Sequence, residues 1–438
     1  MRRLRSLSRL AVVDITPLQA VPGFRWLFAG MFFAQAGRQL TVVAVPIQIF
    51  ALTGSTLAVG LLGLAQLVPL LLVSLAGGAL ADAIDRRKLL IAAEVVLALT
   101  GAGLLWNSVA DSAQLWPLYA LSAINAGVSA VHNPARQALL PGLVGRQLFP
   151  AALALNQTQS NVAKTAVPAA GGLLIAVAGL PLTYLVETLA FLLSALLIGR
   201  VPNVETEGGG RAFSMSSIRE GLAFLKSRRL IQAALLIDLN AMVFGMPTAL
   251  FPAFGTEVLG GDEFTVGLLF AAPGAGAMVA ALTSGWVPRV TRQGRAVIIA
   301  VACWGFGIAT FGFTTSLALA TAMLAFAGGA DVVSAIFRQS MIQLSVPDAL
   351  RGRLSSIHVA ASGGGPRLGD LEAGVVAELT SVRFSIVSGG IVCALGAFAI
   401  GRWSPRFSSY RYSPDAPEAQ HDSAGSEPAR RHERGEDQ

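Results

Sequence analysis

Twelve stretches of apolar residues follow one another along the chain, each long enough to cross a bilayer as a helix of about twenty residues. They fall at residues 24–50, 57–81, 89–107, 115–137, 152–179, 181–199, 230–254, 264–288, 296–314, 317–345, 354–379 and 385–403. A chain with so many spans has no single water-excluded core, because most of its apolar surface faces lipid. The sequence therefore predicts an all-α membrane protein with twelve transmembrane helices.

The composition agrees with this class of protein. Hydrophobic residues make up 54% of the 438 residues and charged residues only 13%, with a mean hydropathy of +0.63, whereas a soluble domain carries about a quarter charged residues. The net charge of +7 would suit nucleic acid if the basic residues shared one soluble face, but they lie at the ends of the apolar stretches. We expect a lipid bilayer around the protein and no nucleic-acid partner.

The chain carries no motif for enzymatic chemistry or for a bound group. It has no nucleophile elbow, Walker A loop, dinucleotide fingerprint or zinc-binding spacing. Cys303 and Cys393 both lie inside apolar stretches, where neither a disulfide nor a metal site is indicated. We expect no enzyme activity, no cofactor and no metal, so that the energy for any transport comes from a gradient.

The basic residues predict the orientation in the membrane. Lys and Arg cluster in the even-numbered connections and at the termini, whereas the odd-numbered connections hold only Arg383, and cytoplasmic loops are the ones rich in Lys and Arg. Both termini are therefore predicted to be cytoplasmic, in a multi-pass protein of the inner membrane. The polar segment 200–229 is predicted to be a cytoplasmic linker. Residues 404–438 are predicted to be a disordered cytoplasmic tail, because they are polar and poor in apolar residues.

The two halves of the chain repeat one another. Matching segments recur in the same order: Val59-Gly60-Leu61-Leu62 as Val266-Gly267-Leu268-Leu269, Gly78 as Gly285, Arg136-Gln137 as Arg338-Gln339, and Gly172 as Gly374. A repeat of six helices in one orientation implies a pseudo-twofold axis along the membrane normal. The sequence thus predicts two pseudo-symmetric six-helix halves, residues 1–199 and 230–403, that can rock about a central site.

The connection between the second and third spans carries the most specific motif. It reads Gly-Gly-Ala-Leu-Ala-Asp-Ala-Ile-Asp-Arg-Arg-Lys over residues 77–88 and resembles the loop motif of the major facilitator superfamily, in which a glycine and an Asp precede a basic run. The resemblance implies a conformational latch at the cytoplasmic ends of the halves, formed by Gly78, Asp82, Arg86 and Arg87. A glycine permits close helix approach, and a carboxylate can accept N–H groups at a facing helix N-terminus.

Within the superfamily, the chain resembles the enterobactin exporter family and related drug efflux proteins. The resemblance rests on Pro22-Gly23-Phe24-Arg25, on Val-Ala-Val-Pro-Ile-Gln at 43–48, on Leu143-Val144-Gly145-Arg146 and on Ala-Leu-Thr-Ser-Gly at 281–285. It implies the major facilitator fold and a secondary transporter that exports a siderophore or a hydrophobic drug in exchange for protons. We expect a monomer with a small amphipathic substrate.

Two other functions remain open at this point. The same fold could import a small metabolite, and a transport-dead membrane sensor belongs to a different functional class. Loss of an exporter raises the amount of substrate inside cells, loss of an importer lowers it, and loss of a sensor changes neither directly.

Six charged residues lie near the middle of the predicted spans, where each costs about 2.5 to 3.5 kcal/mol on insertion scales. They are three cations and three anions: Arg38, Lys164, Arg367, Asp238, Asp331 and Asp370. We expect them to pair across a polar cavity and to take part in substrate binding or proton coupling, with structural ion pairs as the alternative for each. In the superfamily fold, the first, fourth, seventh and tenth helices line the cavity, which implies that Arg38, His132, Asp238 and Asp331 lie within reach of it. We expect Arg38 to be the cation that opposes the two carboxylates.

Overall fold

The computed structural model describes residues 14–83, 85–202, 225, 228–345 and 348–412, and within these the chain is almost wholly helical and contains no strand. The long helices are α1 (Pro22–Thr53), α2 (Thr56–Ala83), α3 (Arg86–Val109), α4 (115–144), α5 (146–178), α6 (180–198), α7 (Arg229–Val258), α8 (Glu263–Leu282), α9 (Gln293–Phe313), α10 (Leu317–Ser345), α11 (Asp348–Leu379) and α12 (Val382–Trp403). The predicted all-α membrane fold is confirmed, and the long helices agree with the twelve predicted spans.

Nine segments of the described chain are long and apolar enough to cross a membrane, and one of them, Leu139–Ile198, contains both α5 and α6. Two glycines separate α4, α5 and α6, which otherwise follow one another without a loop. Gly145 has φ 71° and Gly179 has φ 79°, a left-handed conformation that glycine adopts without steric cost. Each glycine therefore ends one span and lets the next begin at once.

Helix α7 is interrupted in its middle. The regular helix Arg229–Phe244 ends at Gly245, and the chain resumes as a 3₁₀ turn, Thr248–Leu250, followed by a short π-helical segment, Phe254–Val258. Pro247 directly precedes the 3₁₀ turn, and proline has no N–H to continue the helical hydrogen-bond ladder. The indole N–H of Trp304 donates to the Gly245 carbonyl at 2.6 Å. The break leaves further backbone donors that another helix must satisfy.

The two halves meet along two pairs of helices, α2 with α11 and α5 with α8. Within each pair, one glycine lies against another: Gly60 packs on Gly374, and Gly172 packs on Gly267. The internal repeat relates Gly60 to Gly267 and Gly172 to Gly374, and it therefore relates one contact to the other, so the two contacts are pseudo-symmetric. Small residues let helix backbones approach closely in a membrane. Both contacts lie towards the ends of the helices that are remote from the linker, which we call the far side.

The observed boundaries differ from the predicted ones at the eighth span and at the tail. The eighth span, predicted to reach 288, ends as α8 at Leu282 and continues as a 3₁₀ helix, Ser284–Arg289. The tail, predicted to be disordered from 404, is ordered at first: a short helix, Pro405–Ser408, buries Phe407 completely, and the Tyr412 N–H donates to the Thr291 carbonyl at 2.8 Å. Most of the predicted linker, residues 203–224, 226 and 227, and the rest of the tail, 413–438, lie outside the described residues.

We expect substitution of Gly172 by Ala to open the far side, because the added Cβ would lie 2.6 Å from the Glu263 carbonyl oxygen and 2.7 Å from the Gly267 Cα. Overpacking of this kind costs about 1 to 3 kcal/mol. The matched control is Gly171→Ala, whose Cβ would meet only the end of the flexible Leu40 side chain, at 2.9 Å. Labelling by a membrane-impermeant reagent of a cysteine placed at Ser122, in a chain without Cys303 and Cys393, should rise only in Gly172→Ala. Equal labelling in the two variants would contradict this account.

Candidate functional site

A cavity of about 660 Å³ lies between the two halves. Its walls come from α1, α2, α4 and α5 on one side and from α7, α8 and α11 on the other. Uncharged polar side chains line much of it: Gln35, Gln39, Thr41, Gln66, Ser122, Asn125, Ser129, Gln137, Ser160 and Thr248. A volume of this size and a wall of convergent polar groups are typical of a site for a drug-sized ligand.

The charged groups that line the cavity are four cations and one carboxylate: Arg38, Arg136, Lys164, Arg367 and Asp370. Four of the six residues predicted for substrate binding or proton coupling are therefore here, but Asp238 and Asp331 are not among the lining residues. The expected balance of three cations against three anions is wrong for the cavity, because two of the anions lie behind its wall and a further cation, Arg136, lies in it.

Asp238 of α7 forms a buried ion pair with Arg338 of α10. The Arg338 Nη2 and Asp238 Oδ1 atoms are 2.6 Å apart, and the two side chains are only 5% and 1% exposed. The expectation that Arg38 opposes Asp238 is thus incorrect, since the cation comes from the same half of the molecule. Asp331, also on α10, lies within electrostatic range of Arg338, of Asp238 and, across the two halves, of Lys164.

Sequence reasoning missed Arg136 and Arg338 as buried charges, although the repeat contained the signal. The two arginines are equivalent positions of the repeat on α4 and α10. In the C-terminal half, Arg338 is neutralised by Asp238. In the N-terminal half, Arg136 is partly exposed to the cavity. The same position of the repeat therefore carries an ion-paired arginine in the C-terminal half. In the N-terminal half it carries a cavity-lining arginine that forms no ion pair with a described residue.

Asp370 of α11 satisfies the backbone at the break in α7. Its Oδ1 accepts a hydrogen bond from the Thr248 hydroxyl at 2.5 Å and one from the Ala249 N–H at 2.9 Å. Carboxylates are favourable where a helical segment begins, because the first N–H groups have no partner within the helix. Arg367, one turn earlier on α11, donates to the Gly363 carbonyl and feels the charge of Asp370. These contacts connect the cavity wall to the interruption of α7.

Two further buried carboxylates lie behind the N-terminal wall. The Glu94 Oε1 of α3 is 2.7 Å from the His132 Nε2 of α4, and both side chains are completely buried. Glu187 of α6 accepts a hydrogen bond from the Thr41 hydroxyl of α1 at 2.7 Å and is also completely buried. No cation forms an ion pair with Glu187 among the described residues. A buried carboxylate without a cation favours its neutral form.

The far side of the cavity is closed by polar contacts as well as by the glycine pairs. Glu378, in the last turn of α11, accepts hydrogen bonds through Oε2 from the Ser55 hydroxyl at 2.9 Å, the Thr56 hydroxyl at 3.2 Å and the Leu57 N–H at 3.2 Å. The carboxylate thus lies at the N-terminus of α2, where the helix dipole favours negative charge. These contacts hold the far-side ends of α2 and α11 together.

The residues predicted to form a latch are only partly described. The side chains of residues 75–84, which include Gly78 and Asp82, lie outside the described residues, so their role stays a prediction. Asp85 accepts the Arg87 N–H at 2.9 Å and thereby caps α3. The Arg87 guanidinium donates to the Gly199 carbonyl at the end of α6. Arg87 therefore makes a contact within its own half.

Residues 13–418 match the profile of a protein family described as transmembrane secretion effectors. Curated proteins named enterobactin exporter EntS are similar over nearly the whole chain. The protein from Citrobacter koseri is 27% identical and the alignment covers 86% of this chain and 91% of that one. The protein from Shigella boydii serotype 18 is 27% identical, with 89% of this chain and 94% of that one covered.

Solved structures share the fold at low sequence identity. A bacterial homologue of the human lysosomal transporter Spinster, in an inward-facing and unoccupied conformation, has a TM-score of 0.68 at 14% identity, over 90% of this chain and 99% of that one. A bacterial homologue of the iron transporter ferroportin, also inward-facing, has a TM-score of 0.66 at 16% identity, over 89% and 99%. A D-xylose–proton symporter has a TM-score of 0.65 at 17% identity, over 88% and 98%.

Proposed function

We infer the function of this chain from its family, because it belongs to the transmembrane secretion effectors of the major facilitator superfamily. It is a multi-pass membrane transporter of a small molecule and not an enzyme, and its resemblance to the enterobactin exporters is confirmed by relatives that cover about nine-tenths of the chain.

We propose that the protein works as a monomer and exports a small amphipathic molecule, a siderophore or a hydrophobic drug, by alternating access. The observation that carries this is the central cavity, which lies between two pseudo-symmetric halves and is closed on the far side by Glu378 and by the two glycine pairs. If the linker side is cytoplasmic, the closed side of the cavity faces away from the cytoplasm, as uptake of a substrate from the cytoplasm requires. The two halves, residues 1–199 and 230–403, are the units that rotate against each other about the cavity.

We propose that export is coupled to proton entry through the carboxylates behind the C-terminal wall. Asp331 is partly exposed and lies within electrostatic range of Lys164 in the opposite half, so a change in its charge alters the attraction between the halves. Asp238 holds Arg338 and acts on Asp331 as a like charge. Like charges at close range favour protonation of one of the two. Protonation of this pair is the step that would bias one conformation over the other.

The proposed orientation places both termini and the linker in the cytoplasm, because the basic residues concentrate on that side. Cytoplasmic reporters fused after Gly209 in the linker and after Ser423 in the tail should both be active, and a fusion in the connection at Gly260 should not be. Activity at Gly260 together with inactivity at the other two positions would invert the proposed direction of transport.

Opposite effects are expected from weakening the closure on each side of the membrane. Glu378→Gln removes the negative charge that contacts the N-terminus of α2 on the far side. The weaker contact should shift the population towards the state that is open on the far side. Asp82→Asn should weaken the proposed linker-side latch and slow turnover while substrate affinity persists. Transport rates and far-side labelling of a cavity cysteine measure the two shifts. The control is Glu257→Gln, an exposed carboxylate on the far side. Normal transport by Asp82→Asn at normal expression would remove the latch.

Proton coupling predicts that Asp331→Asn or Asp238→Asn abolishes uphill export driven by an imposed pH gradient in proteoliposomes, yet leaves substrate exchange intact. Asp238→Asn strands Arg338, and breaking a buried pair costs about 3 to 5 kcal/mol. The double variant Asp238→Asn/Arg338→Gln therefore tests coupling without an unpaired charge.

The matched control for this experiment is Glu187→Gln, which neutralises a buried carboxylate but keeps the hydrogen bond from Thr41. It should export at the parental rate. If all the Asp variants export uphill normally, neither residue carries the proton and the pair is structural. If only Glu187→Gln loses coupling, the proton path runs through α6 instead.

A further inference from the structure

We propose that the molecule bound in the central cavity is an organic anion with at least two carboxylate groups. This inference rests on the proposed function, because it concerns the substrate of the same cavity. It is carried by the excess of positive charge on the cavity wall and by the chemistry of the groups that bear it.

The wall holds four cations, Arg38, Arg136, Lys164 and Arg367, against one carboxylate, Asp370. No ion pair joins any of the four cations to a carboxylate among the described residues, where the two ion pairs are Glu94–His132 and Asp238–Arg338. Charges held in the middle of a membrane are expensive unless opposing charge accompanies them. A ligand that carries negative charge supplies that compensation.

Carboxylates of the protein compensate the charges of the four cations to different extents. Arg367 feels Asp370, whose Oδ1 is already engaged by Thr248 and Ala249. Lys164 feels Asp331 from the opposite half. The two remaining cations, Arg38 and Arg136, lie in the N-terminal wall and act on each other as like charges. Because Arg38 also feels Glu94, the least compensated positive charge of the wall lies on Arg136 of α4.

The Glu94 carboxylate that acts on Arg38 also contacts the His132 Nε2 at 2.7 Å, and both of those side chains are completely buried. For Arg136, no acidic side chain acts on it among the described residues. Arg38 and Arg136 are both partly exposed, and the Nη1 of Arg38 is buried without a hydrogen-bond partner in the part of the chain that the structure describes. Two arginines in one wall are suited to bind planar acidic groups, because the guanidinium presents a rigid fork of donors that matches carboxylate geometry. One acidic group alone would leave a net positive wall, which favours a ligand with two or more.

The rest of the wall suits an organic ligand rather than an inorganic ion. Gln35, Gln66 and Asn125 offer amide donors and acceptors, and Phe270 offers an aromatic face. A cavity of about 660 Å³ is within the range that holds drug-sized molecules. The ligand is thus a molecule with an organic body that carries acidic groups at its periphery.

A substrate that leaves the cell as an anion moves with the inside-negative membrane potential. Moving one negative charge outwards across a potential of 100 mV releases about 2.3 kcal/mol. This free energy can support a ratio of outside to inside substrate concentration of about fiftyfold. The membrane potential can therefore drive export of such a substrate even where the pH gradient is small.

The test uses the purified full-length chain and two probes of the same shape, a fluorescent naphthalene dicarboxylate and its uncharged dimethyl ester. The dicarboxylate should bind more tightly than the diester by tenfold or more, and its affinity should fall as salt is added. Arg136→Gln and Lys164→Gln should each weaken dicarboxylate binding by about tenfold or more, the loss expected for a hydrogen bond to a charged group. Both should leave diester binding unchanged.

The matched control is Arg292→Gln, an exposed cation in the connection between α8 and α9, which should bind both probes as the parental chain does. The inference is overturned if the diester binds as tightly as the dicarboxylate, if Arg136→Gln binds the dicarboxylate normally, or if no dicarboxylate binding occurs at millimolar concentration.

Flux measurements separate this inference from the proposed function. In proteoliposomes with a potassium diffusion potential and no pH gradient, the dicarboxylate should move towards the positive compartment, and reversal of the potential should reverse the flux. Binding of the dicarboxylate without any flux would contradict the export proposal and leave the anion site in place. Flux of the diester without flux of the dicarboxylate would contradict the anion site and leave the transporter in place.

Discussion

The structure depends on two places where helix backbones from opposite halves touch. At Gly60 with Gly374 and at Gly172 with Gly267, a single added Cβ would meet main-chain atoms of the other half, so the halves meet there without intervening side chains. In lipid, association of helices gains nothing from the transfer of apolar surface, and close van der Waals packing must supply the attraction. The cavity exists because the helices converge at these two crossings on the far side and leave space between them at mid-membrane.

A second constraint, the cost of charge inside a membrane, divides the two halves into different roles. The C-terminal half neutralises its α10 arginine internally, through Asp238 and Arg338. The N-terminal half turns the equivalent arginine, Arg136, towards the cavity, and its buried carboxylates, Glu94 and Glu187, are engaged by His132 and Thr41. Pseudo-symmetry of the backbone thus coexists with an asymmetric distribution of charge. In the proposed transport cycle, the open charges of the N-terminal half bind the substrate and the carboxylates of the C-terminal half couple its movement to protons.

Much of the fold could be predicted from sequence, because span length and the positions of Gly, Lys and Arg are local properties. The repeat contained all four glycines of the interface, but it did not predict which of them pack on one another. The partners of the buried charges could not be predicted. Whether Asp238 meets Arg38 or Arg338 depends on how α7 rotates against α10, which no local pattern encodes. The break in α7 was also missed, because Gly245 and Pro247 interrupt an apolar stretch whose length alone was sufficient for one helix.

The far-side closure through Glu378 has a consequence for the speed of the transport cycle. The carboxylate is exposed and holds α2 by hydrogen bonds rather than by a buried ion pair, and exposed charge contacts contribute about 0 to 1 kcal/mol. A strong lock on this side would trap the protein in one state, since every passage of substrate has to undo it. A weak contact at Glu378 adds little to the cost of opening the far side, so a small change in cavity charge has more influence on which state is populated.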